Sequence, residues 1–237
     1  GEYIWHDYMI AWFHNVFSLF GSPSVEFSAI IYPVFFFAIT IVAFFLMTKE
    51  VFRNFVGKTK ANLIGLLASL LLVISPSLLP RTIAGIPEKE AAAFFFLFMA
   101  FYFFVKAWNS DKRGYIYAAL AGIFTGGMGL VWGGYAFIFL SIGLTLLVAY
   151  FTYQLDLRKI IISSIWLLIP VLLMSIFSAK FSIFPLLISL HVGLNVLILI
   201  SAVGLIWLKK KNVSVGKLSK EFVQPIVSLL GVSIIGV

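Results

Sequence analysis

Residues 80–108 read Pro80-Arg-Thr-Ile-Ala-Gly-Ile-Pro-Glu-Lys-Glu-Ala91 and then Ala92-Ala-Phe-Phe-Phe-Leu-Phe-Met-Ala-Phe-Tyr-Phe-Phe-Val-Lys-Ala-Trp108. Arg81, Glu88, Lys89 and Glu90 crowd into ten residues, and a run follows that carries no charge until Lys106. That run is long enough for a helix to cross the hydrocarbon layer, which takes about 20 residues. A mixed-charge cluster at the mouth of membrane spans is costly to place there without a use, so these four residues are the first candidates for chemistry.

Working outward, the same kind of run recurs along the chain. The 237 residues are 62% hydrophobic and only 11% charged, and the mean hydropathy is +1.10. A soluble domain of this size needs far more surface charge. The chain therefore reads as all-α, a polytopic membrane protein. Ten-residue segments of alternating polarity are missing, which argues against a β-barrel. Cysteine is absent, removing disulfide, thiolate and zinc-thiolate chemistry. His6, His14 and His191 match no metal-ligand spacing.

Residues 3–20 place Trp5, Tyr8, Met9, Trp12, Phe13, Val16, Phe17 and Phe20 at helical spacing, with Asp7, Ala11, His14 and Ser18 opposite. This predicts an N-terminal amphipathic helix lying in the membrane interface, and residues 1–26 are assigned to it as an outer-loop unit. Residues 27–237 form the transmembrane helical domain. Spans are expected at about 27–48, 62–79, 91–108, 115–130, from the Trp132 turn to near 154, 160–177 and 183–208. That makes about seven complete transmembrane helices, with a truncated eighth span from about Gln224. The fourth is rich in glycine (Gly122, Gly126, Gly127, Gly129), which permits close helix packing. His191 and Asn195 share a face of the seventh, where an interhelical hydrogen bond is the expected use.

The net charge of +8 belongs to connectors between spans, so no nucleic-acid partner is implied. Fourteen of the 17 basic residues fall in alternate connectors, at 49–61, 106–113, 156–159 and 209–220. Only Arg81, Lys89 and Lys180 fall in the others. Positive residues stay in the cytoplasm, so the amphipathic helix, the Arg81–Glu90 loop and the Trp132 turn are expected on the outer face.

The loop has two readings. In the first, Pro87 occupies the first helical position, Glu88 and Glu90 face the helix dipole, and Arg81 and Lys89 are their ion-pair partners or snorkel. In the second, Glu88 and Glu90 hold a hard cation such as Mg²⁺ or Mn²⁺, with further ligands from elsewhere, while Arg81 orients a carboxylate or contacts a phosphate. The carboxylates, two residues apart, converge only if Glu88 precedes the first full turn and Glu90 lies within it.

The run Ser77-Leu-Leu-Pro-Arg-Thr-Ile-Ala-Gly-Ile-Pro-Glu-Lys-Glu-Ala91, with Trp132-Gly-Gly-Tyr-Ala-Phe137 some forty residues later, resembles the catalytic subunit of oligosaccharyltransferase, most closely its archaeal single-subunit form. The resemblance extends over nearly the whole sequence. It implies transfer of an oligosaccharide from a polyprenyl (pyro)phosphate to the Asn side chain of Asn-X-Ser/Thr. By it, Glu88 and Glu90 match the second acidic motif, which helps to hold Mg²⁺ or Mn²⁺, and Arg81 matches the arginine beside the active centre. Trp132 and Tyr135 match the turn near the lipid-linked donor. The implied partners are a lipid-linked oligosaccharide, an acceptor polypeptide and membrane lipids, and the implied place is an archaeal cell membrane with the active loop outside.

The departures are specific. The family commonly has Asp in the second motif, where this chain has two Glu. The first acidic motif is missing, since no second acid flanks Asp7. The later outer-loop glutamate and the Trp-Trp-Asp block are missing too. The sequence thus reads as a piece truncated at both ends, and inactive by itself. Two other classes remain open: another polyprenyl-phosphate-sugar glycosyltransferase, and a secondary transporter. The second lacks support from internal repeats or midplane charges.

Overall fold

The computed structural model describes residues 5–210 together with Pro225 and Ser228. Helices α1 (Trp5–Phe17), α2 (Val25–Val56), α3 (Lys58–Val73), α4 (Lys89–Asn109), α5 (Gly114–Val131), α6 (Tyr135–Phe151), α7 (Leu157–Phe177), α8 (Ile183–Ile188) and α9 (Leu190–Lys210) follow in order, with no strand among the described residues. Helix α5 packs between α4 and α7, α2 packs on α4 and α3, and α9 packs chiefly on α6. Five helices are long and apolar enough to span a membrane: α2, α4, α5, α7 and α9. Helices α3 and α6 take the places of the second and fifth expected spans, at 16 and 17 residues. The expected eighth span lies outside the described residues, Pro225 and Ser228 apart.

Apolar side chains gain nothing by leaving lipid for one another, so a bundle of this kind depends on close packing. Helix α5 provides it. A β-carbon at Gly122 would come within 2.8 Å of Ile169 Cβ on α7, and one at Gly129 within 2.4 Å of Met174 Sδ. On another face, one at Gly127 would meet the Phe96 ring of α4 at 2.7 Å. Two buried polar bonds add direction. Trp166 Nε1 donates to Thr125 Oγ1 at 3.0 Å, joining α7 to α5. Asn195 Nδ2 donates to the Phe139 carbonyl at 3.0 Å, the expected interhelical bond, here joining α9 to α6.

Besides the second span, whose helix stops at Val73 ahead of Pro76 and not at 79, three boundaries differ from the sequence reading. The basic connector at 49–61 is not a loop. Helix α2 runs through Lys49 and Arg53 to Val56, and α3 begins at Lys58. Lysine and arginine are good helix formers, and only Gly57, at φ +79°, breaks the path. The seventh span is also broken, at Ser189, whose extended backbone separates α8 from α9. Its hydroxyl donates back to the Leu186 carbonyl at 2.6 Å, and its own carbonyl accepts from Gly193 N. His191 therefore sits in the first turn of α9, not eight residues inside a span. Third, Pro87 is not the first helical residue of α4. Glu88 is the N-cap and Lys89 opens the helix.

The apolar face of α1 is divided: Tyr8 and Trp12 are 63% and 57% exposed, as rings facing the membrane interface would be. His6 and Phe13 are buried, with Met9 and Ile10 packed beside them against Tyr32, Phe36 and the start of α4. A helix in an interface keeps some aromatic residues outside, where ring and polar edge both find partners.

Close approach along α5 is testable. Gly122→Val is expected to cost about 1–3 kcal/mol and lower the unfolding midpoint of detergent-purified protein. Gly21→Ala, where an added β-carbon meets nothing within 4 Å, is expected to leave it unchanged.

Candidate active site

The segment between α3 and α4 is irregular yet tied down at nearly every step. Ser75 precedes Pro76 and so disfavours helix, and α3 ends at Val73. A 3₁₀ turn covers Leu79–Arg81, and the Thr82 hydroxyl donates to the Leu78 carbonyl at 3.1 Å. Gly85 then takes φ +100°, which a side chain would resist, and its N–H donates to the Ile30 carbonyl of α2 at 3.1 Å. That is the local reason for glycine in the Ile-Ala-Gly-Ile run. The Glu88 N–H donates to the Ile86 carbonyl at 2.8 Å, and α4 starts.

This path brings the candidate residues together. Arg81 Nη1 donates to Glu88 Oε2 at 2.6 Å and to Glu90 Oε1 at 3.2 Å. Glu88 lies before the first turn and Glu90 within it, the arrangement that lets two carboxylates so spaced meet. One cationic nitrogen thus marks the point on which both converge. The Arg81 side chain is 48% exposed, so water screens both pairs and they can be exchanged for another partner. Among the described residues, no group of three or more His, Asp or Glu is gathered for a metal ion. The two carboxylates offer hard oxygen donors for part of a coordination shell.

Trp132 is the C-cap of α5, and its N–H donates to the Met128 carbonyl at 2.7 Å. Its ring lies where a side chain on Gly134 would project: a β-carbon there would fall 1.9 Å from it. The ring also stands 6.0 Å from that of Phe94, one turn beyond Glu90. Ala91, Ala92, Val131 and Trp132 share one apolar cluster, which sets the Trp-Gly-Gly-Tyr turn beside the start of α4. Tyr135 belongs to the main core, against which Trp132 also packs. It is buried, with its ring 5.2 Å from His191 and 5.6 Å from Phe181.

Sequence reasoning missed His6. It is 4% exposed, and its Nε2–H donates to the Pro87 carbonyl at 2.8 Å. The same ring meets Tyr32 edge-on at 5.6 Å, and its Nδ1 has no hydrogen-bond partner. It therefore fastens α1 to the residue just before Glu88. The available signal was its place one helical turn before Ile10 and two before Phe13, on the face that docks. Burial holds the ring below its ordinary titration range, outweighing the Pro87 carbonyl and the nearby acids that pull it upward.

Comparisons with known proteins bear on the whole arrangement. The family model described as "Oligosaccharyl transferase STT3, N-terminal" matches residues 7–235. Over 94 residues, or 40% of this chain, it is 38% identical to "Dolichyl-diphosphooligosaccharide--protein glycosyltransferase subunit STT3B" of Arabidopsis thaliana. It is 36% identical over 96 residues to the STT3A subunit of Oryza sativa subsp. japonica, again 40% of the chain. These matches span only 12% and 11% of the plant proteins' length. In fold, it is similar to the crystal structure of Archaeoglobus fulgidus oligosaccharyltransferase in complex with Zn and sulfate. There the TM-score is 0.73 at 20% identity, covering 97% of this chain and 30% of that one. A second structure of the archaeal enzyme, with an inhibitory peptide and a dolichol-phosphate, gives 0.72 at 20%, covering 98% and 28%.

The His6 tie predicts a pH response. The unfolded ring takes up a proton near pH 6.5, while the buried ring resists it, so docking of α1 is fully stable above pH 6.5 and weakens as pH falls below it. Tryptophan fluorescence, reporting Trp5 and Trp12, is expected to change on acidification through that range. His6→Phe keeps the ring but leaves the Pro87 carbonyl unpaired, and is expected to remove the transition and raise hydrogen exchange at residues 86–90 at pH 7.

Proposed function

The chain belongs to the oligosaccharyl transferase STT3 family, and from that premise we propose that it is the part of an oligosaccharyltransferase catalytic subunit carrying the second acidic motif. The whole protein moves an oligosaccharide from a polyprenyl (pyro)phosphate to the Asn side-chain nitrogen of Asn-X-Ser/Thr acceptors. The observation that carries the reading is the convergence of Glu88 and Glu90 on Arg81 at the head of α4. In this reading residues 1–26 form an outer-loop unit and 27–237 the membrane domain. The loop end faces outward from an archaeal cell membrane, because fourteen of the 17 basic residues fall in the alternate connectors.

Transfer forms a bond from the acceptor nitrogen to the anomeric carbon as the carbon–oxygen bond to phosphate breaks, and the amide gives up a proton. Glu88 and Glu90 would hold Mg²⁺ or Mn²⁺, with further ligands from elsewhere. Such an ion, when bound, offsets the charge that collects on the phosphate. Arg81 is a donor for the same phosphate once it leaves the carboxylates. Trp132, partly exposed beside Phe94, is the member of its turn able to touch a lipid-linked donor. Tyr135, buried against His191 and Phe181, shapes the wall behind it. The hydrogen-bonded loop holds both carboxylates before substrate arrives, which limits reorganisation during reaction.

The test is transfer from a lipid-linked oligosaccharide to an Asn-X-Thr peptide by the whole protein in liposomes. Activity is expected with Mn²⁺ and not with EDTA, and Glu90→Gln is expected to lower kcat about 10²–10³-fold. Transfer surviving both EDTA and the substitution would return Glu88 and Glu90 to the role of first-turn charges paired with Arg81.

A further inference from the structure

At the basic end of the bundle, opposite the acidic loop, three helices line an open cavity of about 340 Å³. Polar side chains dominate its lining: Glu50, Arg53 and Asn54 from α2, Lys106 and Asn109 from α4, then Ser110 and Tyr117. Lys106 is set in place before any ligand arrives. Its Nζ donates to the Tyr102 hydroxyl at 2.9 Å and stands 5.1 Å and 4.8 Å from the centres of the Tyr102 and Tyr117 rings. An ammonium has three donors, so two remain for an acceptor. Arg53 lies 3.9 Å from Glu50, at the limit of an ion pair, and its side chain is 53% exposed. The floor is braced by Arg158 of α7, which donates to the carbonyls of Ala107 and Ser110.

We propose that this cavity binds the phosphodiester headgroup of a membrane phospholipid, with Lys106 and Arg53 on the phosphate. Charge selects the class. The two cations and Glu50 leave the lining at +1, which matches the single negative charge of a phosphodiester. A free phosphate carries about −1.5 to −2 at pH 7, by analogy with a monoester, and exceeds the charge that this lining can balance. Position selects the source. The cavity opens among residues at the ends of α2, α4 and α5, where a spanning helix meets headgroups. Its neighbours in sequence are apolar and outward: Phe52 and Phe55 on α2, and Ile116 on α5, are all exposed, as acyl-chain contacts should be. Basic pockets between spanning helices are a recurrent way of holding such headgroups. The site is separate from the acidic loop and stands whether or not the proposed transfer reaction does.

The experiment is native mass spectrometry of the protein purified in mild detergent, with phosphorus quantified in extracted lipid. Wild type is expected to retain about one phosphodiester lipid per chain, and Lys106→Gln combined with Arg53→Gln at least fivefold less. Lys112→Gln combined with Arg113→Gln, in the exposed turn nearby, removes equal charge outside the cavity and is expected to retain it. Asn54→Asp leaves the Lys106–Tyr102 bond untouched and takes the lining from +1 to neutral, so it is expected to lose the lipid even if the double variant folds poorly. Equal retention in wild type, the double variant and Asn54→Asp would overturn the proposal. So would displacement of the bound species by tens of millimolar inorganic phosphate alone, which would make it a free-anion site.

Discussion

The loop end of this protein depends on how closely α5 can approach its neighbours. In lipid, two helices have no hydrophobic reason to associate, and what holds them is contact between atoms that fit. Glycines at 122, 126 and 129 bring α7 against α5, and Gly127 admits the Phe96 ring of α4. The end of α5 and the beginning of α4 are thereby fixed side by side. Trp132 closes over Gly134, and Glu88 and Glu90 emerge at a defined height above the same cluster. Small residues in the middle of the bundle thus set the position of charged residues at its mouth.

The polar groups follow a second rule. An irregular segment near a bilayer must satisfy its own backbone or face water. Residues 75–90 do so by bonding outward, Gly85 to α2 and Pro87 to α1, and among themselves, as Thr82 does back to Leu78. The loop is consequently not a tether between spans but a shaped piece whose conformation is held by two helices and from within.

Much of this was legible in the sequence, and the parts that were not have physical reasons. Apolar runs located α4, α5 and α7 to within a few residues, because hydrophobic length is a strong signal when lipid is the solvent. The convergence of Glu88 and Glu90 followed from assuming a helix start between them. The ends of α2 and α3 were misplaced because charge was read as loop, although charged residues extend a helix readily once it leaves the hydrocarbon. The break at Ser189 has no hydropathy signal, as α8 and α9 are apolar on both sides of it. His6 was overlooked because its importance is a long-range contact, 81 residues from Pro87, and no local pattern encodes such a partner. The polar cavity at residues 50–54, 106–110 and 117 was invisible for the same reason: its lining is assembled from three helices distant in sequence.

The Arg81 guanidinium, shared between two carboxylates, acts as a resident counter-ion. A monovalent ion from the surrounding salt offers those oxygens no more charge than they already have, and lacks the planar fork of donors. It gains nothing by exchange. The charge balance of the acidic pair is in this way set by the chain itself, and not by the sodium or potassium around it.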